Sequence, residues 1–359
     1  MRHSLIAVAF LWASFVQGQE QDTLIPVFKS AMNCNGVTIA ASGRVFVNFP
    51  HLEGDTGMHI GELHPNGVVT PYPDLVWNNW KRGDPAGHRF VRTNSLRIGP
   101  DGNLWIVDTG TPRIGDPMVG EGTKLVVIDP VSDKVVRVIP LGAYIKPNSY
   151  VDDLRISGSI IYLTDAGAPA LIVIDQATGR GRRMLEDQPS TTDRIPMLAE
   201  GKAMKLPDGQ EIFIHADQLE ISPDGKTLYF QPASGPLYRI PTRFLKDTTL
   251  SDRQRAKHVR EWFHTPTTGG TAIDAAGNLY VTDAGNPGII KIYPNGKSET
   301  IIRDARLIWA DALWIDGEGF LWIPAAQLNR LAIFQQGVSK VQSPIFIYKM
   351  QIHAKPFRS

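Results

Sequence analysis

A nine-residue unit of strand and turn recurs along this chain, and it narrows the fold more than any other feature. Copies occupy 35–43, 94–102, 217–225, 269–277 and 311–319. Each opens on a small polar residue or glycine: Asn35, Asn94, Asp217, Gly269 or Asp311. Each closes eight positions later on a turn glycine: Gly43, Gly102, Gly225, Gly277 or Gly319. Between them runs a short alternating stretch, the pattern of a strand with one buried face. After the glycine comes a second strand with an apolar or aromatic pair, such as Leu104-Trp105, Leu279-Tyr280 and Leu321-Trp322. Glycine at the turn tolerates the positive φ a tight hairpin needs. A sixth copy starts at Asp152 and has a turn one residue shorter, at Ser157-Gly158-Ser159.

Further strands follow each hairpin, over 124–129, 135–139, 170–175, 237–240 and 289–293. About four strands per unit and six units predict an all-β, six-bladed β-propeller. One such blade cannot bury both of its faces, whereas a ring of them can. A β-sandwich does not explain a polar residue recurring at one phase of every unit. Residues 24–29 are expected to pair with 345–350 and close the ring, removing free sheet edges.

Residues 1–18 read as a signal peptide. Arg2 and His3 precede an apolar run from Leu5 to Val16, with Val16, Gln17 and Gly18 at the cleavage position. That run is too short to span a bilayer. The expected product is a secreted or periplasmic single-domain propeller over 19–359, with no membrane attachment after cleavage. Cys34 is the sole cysteine, so no intramolecular disulfide can form and a large core must hold the fold. The formal net charge is +1, from 37 Lys and Arg against 36 Asp and Glu, which gives no reason to expect nucleic acid or an anionic membrane as partner. A monomer acting on a small molecule is the expected state.

If the repeated segments are innermost strands, radial symmetry gathers Asn35, Asn94, Asp152, Asp217, Gly269 and Asp311 at one mouth of the central channel. Two readings stay open. Asp and Asn cap strands by bonding nearby backbone. Alternatively, the ring binds a ligand. Converging carboxylates raise one another's pKa, which a protonated acid or a hard cation such as Ca2+ would relieve, with Asn94, Asp152 and Asp217 as ligands. No cofactor is otherwise required. Asp152, Asp217, Asp311 and His215 are the catalytic candidates. Asn35 and Asn94 are candidates for orienting substrate, with Trp77 and Trp80 of the aromatic 70–80 stretch as a wall above the channel. Asp153 is expected to turn away by alternation. Cys34 is expected to be a packed thiol. The Asp-small-Gly triplets starting at Asp108, Asp165 and Asp283 read as turn caps. No dinucleotide loop, phosphate loop, zinc-spaced Cys/His set or Gly-x-Ser-x-Gly elbow occurs.

Several stretches together resemble the major royal jelly protein and yellow family, especially its bacterial-type members. They are Gly43-Arg44-Val45-Phe46-Val47-Asn48-Phe49-Pro50, Pro71-Tyr72-Pro73, Leu104-Trp105-Ile106-Val107-Asp108-Thr109-Gly110, Ser149-Tyr150-Val151-Asp152-Asp153, Leu237-Tyr238-Arg239-Ile240-Pro241-Thr242 and Arg306-Leu307-Ile308-Trp309-Ala310-Asp311. The resemblance implies a six-bladed propeller, extracellular placement, and activities that range from dopachrome conversion to amine binding. The expected function is thus a non-redox isomerase, tautomerase or cyclase for an aromatic or quinonoid metabolite, with a non-catalytic amine or pigment-precursor binder as the alternative. A more distant similarity to gluconolactonase-like propellers implies a metal-dependent lactonase. Those propellers use a glutamate on the first blade, where Asn35 stands here.

Overall fold

The computed structural model describes residues 23–54 and 56–358. The signal-like segment 1–18 lies outside the described residues. Six four-stranded antiparallel sheets make the six blades of a β-propeller. Blade 1 comprises Gly36–Ile39, Val45–Asn48, Ile60–Leu63 and Val69–Pro71. Blade 2 comprises Thr93–Ile98, Leu104–Thr109, Thr123–Asp129 and Lys134–Pro140. Blade 3 comprises Val151–Ser157, Ile160–Asp165, Ala170–Asp175 and Gly181–Met184. Blade 4 comprises Ala216–Ile221, Thr227–Pro232, Leu237–Pro241 and Arg260–Phe263. Blade 5 comprises Thr271–Ile273, Leu279–Asp283, Gly288–Ile292 and Ser298–Arg303. Blade 6 joins both ends of the described chain: Trp314–Ile315, Phe320–Ala325 and Ile345–Gln351, completed by Ile25–Ser30. The closing pair runs from Ile25 opposite Lys349 to Ser30 opposite Ile345, so the first described strand becomes the outer strand of the last blade and locks the ring.

The first strand of each blade touches the first strands of both neighbouring blades, which makes these strands the innermost ring. The apolar alternation explains how blades stack. Trp105, Val107 and Leu125 of blade 2 pack on Leu154, Ile161 and Ile172 of blade 3 in one dry interface. Each buried side chain of this kind contributes about 1.5–3 kcal/mol.

Buried charge also holds the ring. Asp108, Asp165 and Asp283 end the second strands of their blades, and each carboxylate accepts backbone N–H groups of the following turn: from Gly110, from Gly167 and Ala168, and from Asn286. Each also meets a cation of its own blade: Asp108 meets Lys124 Nζ of the third strand at 2.7 Å, and Asp165 and Asp283 meet Arg183 and Arg303 of the fourth strands, each at 2.7 Å. The triplets are structural caps. Arg155 is fully buried and bridges the inner strands of blades 3 and 4, with Asp153 at 2.7 Å and Glu220 at 2.6 Å. Thr271 of blade 5 donates to Glu220 at 3.0 Å.

Glycine at the start of blade 5 has a steric cause. A Cβ on Gly269 would lie 2.4 Å from the Ala310 carbonyl oxygen, and one on Gly270 would lie 2.4 Å from the Asp311 carbonyl. The inner strands of blades 5 and 6 approach too closely there for any side chain.

Candidate functional site

Asn35, Asn94, Asp152, Asp217, Gly269 and Asp311 line a single cavity of about 310 Å³. Register shifts fall at the polar positions of blades 2, 3 and 4, between Thr93 and Ser95, Val151 and Leu154, and Ala216 and Leu219. These bulges interrupt the alternation and re-aim side chains. Asp153, expected to turn away, is therefore directed to its inner-strand neighbours. It accepts from Ser95 Oγ at 2.7 Å and pairs with Arg155. Burial works against its charge, but Arg155 and Arg97 hold its carboxyl below the usual range.

The floor is one hydrogen-bonded chain. Asn48 Nδ2 donates to Asn35 Oδ1 at 2.7 Å, and Asn35 Nδ2 donates to the Asn94 carbonyl at 3.1 Å. Tyr150 donates its hydroxyl to Asn94 Oδ1 at 2.6 Å, and Asn94 Nδ2 donates to Asp152 Oδ1 at 2.8 Å. Asp152 and Asp217 are hydrogen-bonded carboxyl to carboxyl. Gln218 Nε2 donates to Asp217 Oδ2 at 2.6 Å.

Two carboxyls in contact share a proton, because burial and mutual repulsion oppose a second negative charge. Burial raises Asp152 to about 7, while the bond from Asp217 favours its ionised form. Burial and the neighbouring Asp152 push Asp217 well above the carboxylate range, which makes it the proton holder. Burial, then the charge of Asp152, likewise raises Asp311. Its carboxyl has the Ala312 N–H as partner.

These shifts set a stability trend. An unfolded Asp titrates at about 3.9, so above that pH these three carboxyls hold more protons folded than unfolded. They contribute stability that is lost as pH rises from about 5 to about 8, while His59 and His215, whose pKa values burial lowers, oppose that loss as an unfolded histidine deprotonates at about 6.5. Carboxyls held low, Asp153 among them, titrate below this window. Wild-type and Asp217→Asn urea midpoints should diverge across it, the variant losing less stability as pH rises. An identical pH dependence in the two would refute the shared proton.

The wall above this floor is apolar and comes from outside the repeats. Leu52 and Ile114 extend from blades 1 and 2. Met204, Leu206, Ile212, Phe213 and Ile214 come from the long connection between blades 3 and 4. Leu328, Ile333 and Phe334 come from the connection between Phe320–Ala325 and Ile345–Gln351. Glu200 ties the two connections together, accepting from Asn329 at 2.8 Å and pairing with Arg330 at 2.6 Å. Trp309 also lines the cavity and has φ 45°, a conformation that costs a bulky residue energy and tends to persist at functional sites.

Three of the proposed residues stand elsewhere. His215 is absent from the lining; its Nδ1 accepts the Asp193 N–H at 3.1 Å, and burial lowers its pKa. Trp77 is buried against Phe90, ring centroids 5.2 Å apart, because Asp74 caps its turn and folds it onto blades 1 and 2. Trp80 lines a separate cleft with His51, Asn78 and Arg113, and its Nε1 donates to the Asp84 carbonyl at 3.1 Å. Cys34 is buried, its thiol pushed up to about 12 by desolvation, so it is no nucleophile at neutral pH. Conversely, Tyr150 and Trp309 had no repeat signal to mark them as site residues.

The floor does not fit a hard cation. The oxygen of Asn94 is taken by Tyr150, its amide faces Asp152, and the Asp217 carboxyl is bonded to Asp152 and Gln218. Among the described residues no group of three or more His, Cys, Asp or Glu side chains is placed to hold a metal ion.

The fold and this cavity define a six-bladed propeller with a polar channel floor and an apolar, aromatic wall. A sequence model of the Major royal jelly protein family matches residues 93–356, and the chain belongs to that family. It is 26% identical over 223 residues to Protein yellow of Drosophila melanogaster, a match covering 58% of this chain and 41% of the fly protein. The Drosophila yakuba protein is 26% identical over 235 residues, covering 61% of this chain and 43% of that one. The match thus spans less than half the length of these relatives. Among solved structures, a gluconolactonase from Xanthomonas campestris superposes with a TM-score of 0.55 at 15% identity, covering 91% of this chain and 89% of that one. A luciferin-regenerating enzyme superposes with a TM-score of 0.57 at 12% identity, covering 94% and 97%. At such identities the likeness concerns the fold alone. No helix of the described residues is long and apolar enough to cross a membrane.

Proposed function

We propose that this propeller is a non-redox isomerase or tautomerase that moves a proton within one small aromatic or quinonoid molecule. The observation that carries the reading is the hydrogen-bonded carboxyl pair of Asp152 and Asp217, both pushed up by burial, beneath an apolar wall. A planar ring would lie against Trp309 and Phe334. Asp152 would accept a proton from one atom of the substrate, and Asp217 would return one to another. Both carboxyls then exchange roles, so no electron acceptor is needed. Asn35 and Asn94 would orient the polar edge, and Tyr150 would fix the amide of Asn94. We extend the proposal to an exported monomer without nucleic-acid or membrane partners. The test is spectrophotometric turnover of a dopachrome-like quinone with no cofactor added, before and after chelation. Product formation unaffected by chelator is expected; no turnover of any quinonoid substrate would overturn the reading.

One observation favours a second reading. Three carboxyls line the cavity, Asp311 buried and Asp152 and Asp217 partly so, yet no Lys, Arg or His does. The ammonium of an aromatic amine would replace the shared proton as counter-charge. Calorimetry showing tight amine binding, with no product by mass spectrometry, would favour a carrier over an enzyme. Metal-dependent lactone hydrolysis is not proposed, since the floor lacks a fitting ligand set.

A further inference from the structure

A second cleft, of about 470 Å³, lies far from the channel, on the outer part of blade 4. Arg239, Arg243 and Arg260 line it together with Phe244 and His258. The chain as a whole is nearly neutral, at +1. The stretch 239–260 nevertheless carries seven Lys and Arg against two Asp.

Arg239 and Arg260 are directly opposite on adjacent antiparallel strands. Cross-strand partners share a face, and like charges so placed destabilise a sheet. Here both are exposed and form no ion pair among the described residues, and neither does Arg243. Several arginines elsewhere are paired, Arg82 and Arg113 with Asp116, Arg306 with Asp304 and Arg330 with Glu200, whereas the three in this cleft lie together without an acid. The nearby acids are engaged away from the cleft. Glu261 lies on the opposite face, opposite Tyr238, and pairs with His264 at 3.2 Å. Asp224 accepts from Ser222 and faces Lys226.

The guanidiniums are also held in place. Arg239 lies over the Trp262 ring at 5.6 Å and Arg243 over Phe244 at 4.6 Å. Phe244 stacks in turn on His258, centroids 3.5 Å apart and planes 6° from parallel. Such stacking reduces the rotamer freedom an arginine loses on binding an oxyanion. Arg260 Nη1 is anchored on the Lys257 and Val259 carbonyls at 2.6 and 2.8 Å, and Arg239 also bonds Tyr229, so the remaining N–H groups of the three arginines are the ones a ligand would engage.

We propose that this cleft binds a small ligand bearing two or more phosphate or sulfate groups, whose oxyanions bridge Arg239 and Arg260 and engage Arg243. The site is independent of the channel and of the chemistry assigned there.

Calorimetric titration with pyrophosphate, and separately with a sulfated heparin disaccharide, tests this at low and at physiological ionic strength. Saturable one-to-one binding of at least one probe is expected, weakening as salt rises. Preference for pyrophosphate identifies phosphate as the ligand chemistry, and preference for the disaccharide identifies sulfate esters. Arg243→Gln should weaken binding by about fivefold to tenfold, and Arg239→Gln combined with Arg260→Gln should abolish it. Because the double variant removes a repulsive pair, its ligand-free urea midpoint should be unchanged or higher, which separates a binding role from a structural one. Absence of saturable binding for both probes, or equal affinity in the double variant, would overturn the assignment.

Discussion

Asp217→Asn is expected to lower turnover by about 10²- to 10⁴-fold, the range of a lost general acid, while leaving the propeller folded. Asparagine has the same shape and still donates an N–H to Asp152, so the floor keeps its geometry. It cannot release that hydrogen as a proton. Asp152→Asn should be equally severe, because the pair then has no ionised member to accept a proton. Asp311→Asn should act differently. Asp311 is itself held above the carboxylate range and acts on Asp217 by charge only where it ionises, so its replacement should change the high-pH side of the profile rather than remove activity. In the wild type the single-proton state of the pair exists only between two titrations, which predicts a bell-shaped rate profile. Steady-state rates across pH for the three variants check all of this. Full activity in both Asp217→Asn and Asp152→Asn would end the acid–base assignment.

Arg155→Leu is expected to destabilise the protein by about 3–5 kcal/mol, the cost of breaking a buried ion pair from one side. Its guanidinium is fully buried and holds Asp153 and Glu220, each itself largely buried. Removing the cation leaves two carboxylates without the charge that pairs them across the inner strands of blades 3 and 4, and the hydrogen bonds from Ser95 and Thr271 do not replace it. Urea unfolding monitored by tryptophan fluorescence measures the loss. Adding Glu220→Leu to Arg155→Leu should recover part of it, since fewer stranded charges remain. A single variant within about 0.5 kcal/mol of wild type, as surface substitutions usually are, would mean that this network contributes nothing net.

How much of this was readable beforehand follows from what a repeat can encode. The glycine that closes each unit and the polar residue that opens it recur at fixed phase, so six blades and a gathered set of Asn and Asp follow from symmetry. The pairing of Ile25–Ser30 with Ile345–Gln351 followed from the need to cover an edge. What the repeat could not encode lies between its copies. The apolar wall comes from two insertions that share no phase with the blades, so Phe213, Phe334 and Met204 gave no periodic signal. Tyr150 sits two residues before Asp152, where plain alternation offers no way to judge its reach; a bulge decides it. Trp77 and Trp80 misled for the opposite reason. Their aromatic density looked like a ligand wall, but Asp74 folds that segment onto the blade flank. His215 is near Asp217 in sequence, yet its ring serves the Asp193 backbone.

The joint in blade 6 has a consequence for biosynthesis. Ile25 is partnered by Lys349, more than three hundred residues later. At about 5–20 residues per second of translation, the first strand waits on the order of a quarter-minute to a minute for its mate to be made. During that interval it is an unpaired edge able to pair with a wrong neighbour. The ring therefore latches last, and a cell making this protein has reason to shield its beginning until its end arrives.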